Sequence, residues 1–251
     1  MKKTVLITGA TSGIGKATAE ILASDNYRLI ICGRRQDRLI ELEAKLSKST
    51  EIYILCFDVS QKQEVFDAID SLPPDWKEID ILINNAGNAH GFDPIHEAKI
   101  DDWEAMIDIN LKGLLYVTKA ILPDMVERKS GHIVNIGSIA GIEPYQKGGV
   151  YNASKYAVDG LTKSMRQDLI EHNIKISEIK PGLVNTEFSN VRFKGDEEKS
   201  AKVYEGFDPL TGSDIAEIIL FIVSRPPHVN LADMLILPTA QATATMVHRK
   251  K

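Results

Sequence analysis

The 251-residue chain predicts a single α/β domain of the doubly wound kind, a parallel seven-stranded sheet with helices on both faces. Three observations carry that expectation. Short apolar, β-branched runs alternate with longer stretches of helical periodicity along the whole chain. The first run leads directly into a glycine-rich turn and then a helix. Small or polar residues stand at the carboxyl ends of later runs, where open α/β sheets bind their ligands.

Composition excludes several function classes. Apolar residues make up 43% and charged residues 26% of the chain, ordinary values for a globular domain. A net charge of −5 argues against a dedicated nucleic-acid surface. No apolar run approaches the roughly 20 residues that span a bilayer. Met1-Lys2-Lys3 resembles the basic end of a signal peptide, but Val5-Leu6-Ile7 is too short to be its apolar core. A cytoplasmic protein with no membrane partner is expected. Cys32 and Cys56 lie in strand-like runs and read as buried, reduced thiols. The six histidines show no metal-ligand spacing with cysteines, so no metal is expected.

Taken in order, residues 4–8 form the first buried strand, and Gly9-Ala10-Thr11-Ser12-Gly13-Ile14-Gly15 follows at once. Strand, glycine turn and helix make the phosphate-binding corner of a Rossmann-type fold. Glycines let the backbone approach a pyrophosphate, and the helix start supplies free N–H groups. The alternative is a merely tight turn. Residues 27–32 are the second strand, ending in Gly33-Arg34-Arg35. An acidic residue there would bond a ribose 2′-hydroxyl and mark NAD; two guanidinium forks instead match a 2′-phosphate and mark NADP. Arg34 is the expected direct contact, with Arg35 beside it.

Residues 36–48 read as an amphipathic helix with Leu39, Leu42 and Leu46 inward, and residues 51–57 as the third strand. Asp58 and Val59 follow it, where the adenine would be flanked. Asp58 either bonds the adenine amino group or caps the next helix. Residues 79–83 are the fourth strand, ending in Asn84-Asn85-Ala86-Gly87. Asn84 suits a strand-to-strand tie, while Asn85, Ala86 and Gly87 are expected beside the cofactor. A long helix is predicted over 101–125, with Asn110 in its middle. Asparagine is unfavourable there unless its amide bonds a backbone group or holds a water.

Residues 131–137 form the fifth strand, with Ser138 at its carboxyl end. The next helix, to about residue 172, carries Tyr151 and Lys155. Residues four apart share a helix face, and an ammonium beside a phenol lowers its pKa from near 10. Such a pair can act as a general acid/base, although it is also common on ordinary helix surfaces. A sixth strand covers 174–179, and a final one 234–237. Between them, about 183–210 read as a polar, glycine-containing lid over the pocket. The basic tail 247–251 is expected to be partly disordered.

Together these motifs resemble the short-chain dehydrogenases/reductases. Thr8 to Gly15, Asn84 to Gly87, Asn110, Ser138, Tyr151-Asn152-Ala153-Ser154-Lys155 and Pro181-Gly182 stand in that family's order across nearly the whole chain. Arg34-Arg35, Asp80 to Gly87, Pro181-Gly182-Leu183-Val184 and Thr186 to Asp196 are similar, more narrowly, to the NADP-dependent 3-hydroxy acid dehydrogenases. That group oxidises L-serine, L-allo-threonine and 3-hydroxyisobutyrate-like acids and reduces malonic semialdehyde. The resemblance implies one NADP-binding domain over 1–251, usually assembled as a homotetramer. It implies that Tyr151 moves the hydroxyl proton, Lys155 lowers its pKa and holds the nicotinamide ribose, Ser138 bonds the reacting oxygen, and Asn110 holds a water linked to Lys155. Pro181, Gly182, Val184 and Thr186 would be among the cofactor contacts. A hydroxy acid also needs its carboxylate held; Arg192 is the expected residue, with Gln146 near the pocket. Alternative functions are a reductase of carrier-bound 3-ketoacyl chains on the same fold, or a non-catalytic NADP-sensing protein.

Overall fold

The computed structural model describes residues 2–250, from which Met1 and Lys251 are excluded. Strand β1 (Lys3–Ile7) enters helix α1 (Gly13–Ala23), and the alternation continues through β2 (Tyr27–Gly33), α2 (Gln36–Leu46), β3 (Ile52–Cys56), α3 (Lys62–Asp70) and β4 (Ile81–Asn84). The second half carries α4 (Ile100–Ile107), α5 (Leu114–Arg128), β5 (Gly131–Ile136), α6 (Gly149–Asp168) and β6 (Ile174–Pro181). An excursion then holds β7 (Val184–Asn185), α7 (Phe188–Arg192), α8 (Glu197–Lys202) and β8 (Leu210–Thr211), before α9 (Gly212–Val223) and β9 (Asp233–Ile236).

The seven long strands lie in the order β3-β2-β1-β4-β5-β6-β9, all parallel, as expected. Central strands are apolar at successive positions because both sheet faces are covered. Val5, Ile7, Leu29 and Ile31 pack on one face with Leu22 of α1, Leu39 of α2 and Ile219 of α9. Leu6, Ile30, Leu82 and Ile133 pack on the other with Val65 of α3, Val117 of α5 and Met165 of α6. The alternation within one strand decides which face each residue serves. The direction in which successive strands are added reverses between β1 and β4, which opens a crevice at their carboxyl ends.

Three expectations need correction. The helix over 101–125 is interrupted: a π-helical turn, Asp108–Gly113, separates α4 from α5. Asn110 sits in it because its amide is bound sideways, and Gly113 because a Cβ there would lie 2.9 Å from Val59 Cγ2. Cys56 is exposed, unlike Cys32, because it ends edge strand β3, its Sγ 3.8 Å from the Arg34 carbonyl. The tail is ordered up to Lys250, whose N–H donates to the Gly206 carbonyl (2.7 Å); Lys251 lies outside the described residues. Under β6, three carboxylates that gather closely enough to hold a cation enclose the Lys180 ammonium instead, at 2.9 Å from Asp159, 3.2 Å from Glu178 and 2.5 Å from Asp233.

Candidate active site

The crevice begins at the glycine turn. Gly9 and Gly13 have φ of +67° and +54°, the left-handed region that favours glycine. A Cβ on Gly13 would lie 3.2 Å from Thr186, so the turn and the excursion touch there. Ser12, at the N-cap of α1, makes no side-chain cap bond, which leaves the first-turn N–H groups for an anion. Thr11, Ser12 and Ile14 line the cavity. Gly15 does not: it is a packing glycine, since a Cβ would lie 2.4 Å from both Asn85 Nδ2 and the Gly9 oxygen.

Side chains at the neighbouring strand ends hold this corner together. Thr8 Oγ1 accepts from the N–H groups of Asn85 and Ala86, each at 3.0 Å. The Asn85 amide donates back to the Thr8 carbonyl at 2.8 Å, so Asn85 ties strands as well as lining the cavity. Asn84 ties strands as expected, donating to Thr118 Oγ1 (2.9 Å) and Asn135 Oδ1 (3.0 Å). Ala86 and Gly87 line the cavity.

Both arginines after β2 reach it. Arg34 pairs with Asp58 at 3.1 Å and keeps its side chain 62% exposed, open to a further anion. Arg35 is more engaged, donating to Thr11 Oγ1, Ser12 Oγ and Glu187. Asp58 accepts from the Ser60 N–H and hydroxyl, so it closes a turn before α3 rather than capping the helix itself. Burial works to raise its pKa, but the Ser60 donors and Arg34 outweigh that and hold it below the ordinary carboxylate value. Val59 lies alongside on the cavity wall.

The cavity, about 690 Å³, runs from these arginines to Ser138, Gln146, Tyr151 and Lys155, passing Pro181, Gly182, Val184 and Thr186. Its volume suits one small-molecule ligand. At the inner end, the Ser138 side chain accepts from the Ala140 N–H (3.1 Å) and stands near enough to Tyr151 to favour its phenolate. Burial pushes the phenol up to about 12; Arg192 and Ser138 oppose this without winning. Lys155 Nζ donates to the Ile136 carbonyl at 2.8 Å and lies 6.0 Å from the Tyr151 ring centre. Burial lowers its pKa to about 8, against the pull of Glu178. Arg192, at 4.9 Å, lies nearer the Tyr151 ring centre than Lys155 does.

Asn110 is buried behind this wall and does not line the cavity. Its Oδ1 accepts from the Asn88 N–H (2.8 Å), and its Nδ2 donates to the Asn88 carbonyl (2.9 Å) and Ser154 Oγ (3.0 Å). Of the two options open from the sequence, the structure shows the backbone bond. A Cβ on Gly87 would lie 3.2 Å from Asn110 Oδ1 and 3.6 Å from Lys155 Nζ, which puts both around one point.

Arg192 crosses the cavity mouth. Its Nη2 donates to the Tyr145 hydroxyl (2.5 Å), its guanidinium also faces Phe188 at 5.2 Å, and its buried Nε has no partner. Among the described residues it has no carboxylate partner. Lys194, by contrast, is paired with Asp102 at 2.8 Å. Residues that sequence reading passed over include Phe188 and Tyr204 from the excursion, Tyr145 before α6, and Val247 and Arg249 from the tail. They enclose the same cavity, and no local pattern marks them, because they meet only through tertiary folding.

A crevice with a glycine turn and two arginines at one end and a buried phenol at the other suits hydride exchange at an alcohol carbon, the work of an oxidoreductase. More narrowly, the chain belongs to the short chain dehydrogenase family, whose model matches residues 3–197. It is 45% identical over 248 residues to the NADP-dependent 3-hydroxy acid dehydrogenase YdfG of Escherichia coli (strain K12), covering 98% of this chain and 99% of that one. The NADP-dependent 3-hydroxy acid dehydrogenase of Schizosaccharomyces pombe is 44% identical over 252 residues, covering 99% and 97%. Among solved structures, the closed form of a serine dehydrogenase complexed with NADP+ superimposes with a TM-score of 0.94 at 44% identity, covering 98% of this chain and 100% of that one.

Proposed function

We propose that this protein is an NADP-dependent dehydrogenase of a small 3-hydroxy acid such as L-serine, L-allo-threonine, 3-hydroxyisobutyrate or 3-hydroxypropionate. What carries the substrate class is Arg192. A guanidinium with no carboxylate partner among the described residues, one buried nitrogen unbonded, stands over the ring of the acid/base tyrosine. A carboxylate one carbon removed from the reacting carbinol would satisfy it. Gln146, on the same wall, is a second polar contact for the substrate.

The residues present fit NADP. Gly9, Thr11, Ser12, Gly13 and Ile14 would take the pyrophosphate on the uncapped start of α1; Arg34 and Arg35 would take the 2′-phosphate. Asp58 and Val59 would border the adenine, and Asn85 to Gly87 the riboses. Pro181, Gly182, Val184 and Thr186 would border the nicotinamide, and Lys155 would hold its ribose. Gly15 contributes by letting α1 pack close to β4. NADP, when bound, supplies the hydride-accepting ring.

Tyr151 takes the substrate hydroxyl proton in oxidation and returns it in reduction. Ser138 bonds the same oxygen and keeps it in line with the phenol. Lys155 supplies positive charge, which matters more once a carboxylate has neutralised Arg192. Asn110, anchored on Asn88 and Ser154, would hold a water linked to Lys155. Residues 183–210 act as the lid. Exposed Leu115, Tyr156, Phe221 and Leu235 support assembly, for which we propose a homotetramer. No helix among the described residues is long and apolar enough to cross a membrane, which is compatible with residence in the cytoplasm.

A turnover screen tests this reading: the four hydroxy acids, each with NADP+ and with NAD+, and a 3-ketoacyl thioester with NADPH and with NADH. NADP-linked oxidation of the acids, reduced about 10²- to 10⁴-fold in Tyr151→Phe, is expected. Absence of turnover, with Tyr151→Phe indistinguishable from the parent, would refute it.

A further inference from the structure

Glu187 stands at the foot of the lid, between Thr186 and α7. Its two oxygens divide between two guanidiniums: Oε2 lies 2.8 Å from Arg35 Nη1, and Oε1 lies 2.6 Å from Arg38 Nη1. The rest of the Arg35 fork is turned to the glycine turn, with Nε and Nη2 at 3.1 and 2.8 Å from Thr11 Oγ1 and Nη2 at 2.8 Å from Ser12 Oγ. One side chain thus bridges the phosphate corner and the lid. Arg38, in the first turn of α2, is absent from the cavity wall and has Glu187 as its anionic partner. The carboxylate lines the cavity and is 42% exposed.

We propose that Glu187 is the resident counter-ion of Arg35, one of the two arginines that read the cofactor 2′-phosphate, so that phosphate binding and lid docking compete for the Arg35 guanidinium. The proposal rests on the NADP reading above. A phosphate held by Arg34, Arg35 and Ser12 places a second anion on a guanidinium that already carries one. Two anions on one fork repel, and each weakens the other's hold by the same factor. A nucleotide without the 2′-phosphate brings no such competitor and leaves the lid foot docked. Burial works to raise the Glu187 pKa, but Arg35 and Arg38 outweigh it and hold the group below its ordinary value, so the carboxylate is charged at neutral pH. Glu187 is a positioning residue in this scheme: it acts on the cofactor through Arg35 and on the substrate pocket through α7, which carries Arg192.

Two nucleotides that lack nicotinamide isolate the effect. Calorimetric Kd values for adenosine 2′,5′-bisphosphate and for 5′-AMP are measured on the parent protein and on Glu187→Gln, which removes the charge and keeps the shape. The bisphosphate should bind Glu187→Gln about three- to tenfold more tightly than the parent. The 5′-AMP affinity should stay within about twofold, which a merely structural disturbance of the corner would not respect. The difference should shrink in high salt, because the pairs are partly exposed. Amide hydrogen exchange on the parent protein gives a second readout that needs no variant: exchange across 186–192 should rise with the bisphosphate and not with 5′-AMP. Unchanged or weaker bisphosphate binding by Glu187→Gln, or equal exchange with both nucleotides, overturns the competition. A parent protein that does not distinguish the two nucleotides overturns the NADP reading itself, and the proposal with it.

Discussion

In the proposed mechanism, the chemistry of the site turns on Tyr151 and the cations around it. Burial, with Tyr145 adding to it, outweighs Arg192 and leaves the phenol at about 12, which suits a proton donor and resists a proton acceptor. Arg192 opposes that shift, yet a bound carboxylate would cancel much of its charge. Arg192→Ala should therefore act on two quantities. KM for a hydroxy acid should rise roughly ten- to hundredfold, the loss of one charge-assisted contact, while KM for an uncharged alcohol should change little. With the uncharged alcohol, the rise of the oxidation rate with pH should move to higher pH, because the phenol has lost a stabilising cation. Steady-state kinetics against pH with both substrates checks this; equal KM effects on the two would exclude Arg192 as the carboxylate ligand. At this scale the sequence already singled out Tyr151, Lys155, Ser138 and Arg192, since each stands at a telling place after a strand or on a polar excursion. It did not show that Arg192 rather than Lys155 is the nearer electrostatic partner of the phenol. That depends on how far a side chain on α7 reaches over a ring on α6. Nor did it separate Gly15, which is a packing requirement, from the glycines that face the cavity.

The elements were legible where hydrophobic period and turn chemistry agree, and illegible where one of these is silent. All seven long strands and their parallel sheet follow from apolar runs and crossovers. The π turn at Asp108–Gly113 has the same periodicity on both sides, so only the misfit of Asn110 hinted at it. The tail gave the wrong expectation because basic terminal residues usually lack partners. Here Arg249 donates to the carbonyls of Val203 (2.9 Å) and Glu205, just past the end of α8, and stacks over Phe207 at 5.1 Å. A guanidinium on otherwise unbonded carbonyls both caps and attracts. Arg249→Gln should loosen the lid without touching the phenol. Trypsin cleavage at Lys199 and Lys202 should quicken about three- to tenfold, and KM for substrate should rise while kcat stays within about twofold. An unchanged cleavage rate would mean that the tail merely rests on the lid.

For the whole molecule, acid stability turns on two buried groups that do not line the cavity. His132 is buried between β5 and β6, with Nε2 2.9 Å from Ser177 Oγ and Nδ1 unbonded. Burial, with Lys175 and Lys3 adding to it, lowers its pKa to about 3. Unfolded, it would titrate near 6.5. The unfolded state thus binds a proton that the folded state refuses, so stability is full above pH 6.5 and is lost as pH falls toward 3. By pH 4.5 the loss should reach roughly 2 to 3 kcal/mol. Glu178 works in the opposite sense. Burial raises its pKa to about 7 in spite of Lys180, so its folded form keeps a proton that the unfolded form releases above about 4.5. Its contribution is present below pH 4.5 and lost as pH rises through 7. The two groups oppose each other across the same window, and the parent protein should show a shallow dependence there. His132→Gln removes one of them and keeps a donor for Ser177. Urea unfolding at pH 7 and pH 4.5 should then show the variant gaining roughly 2 to 3 kcal/mol relative to the parent on acidification. A difference between variant and parent that is the same at both pH values would exclude His132 as the acid-labile group.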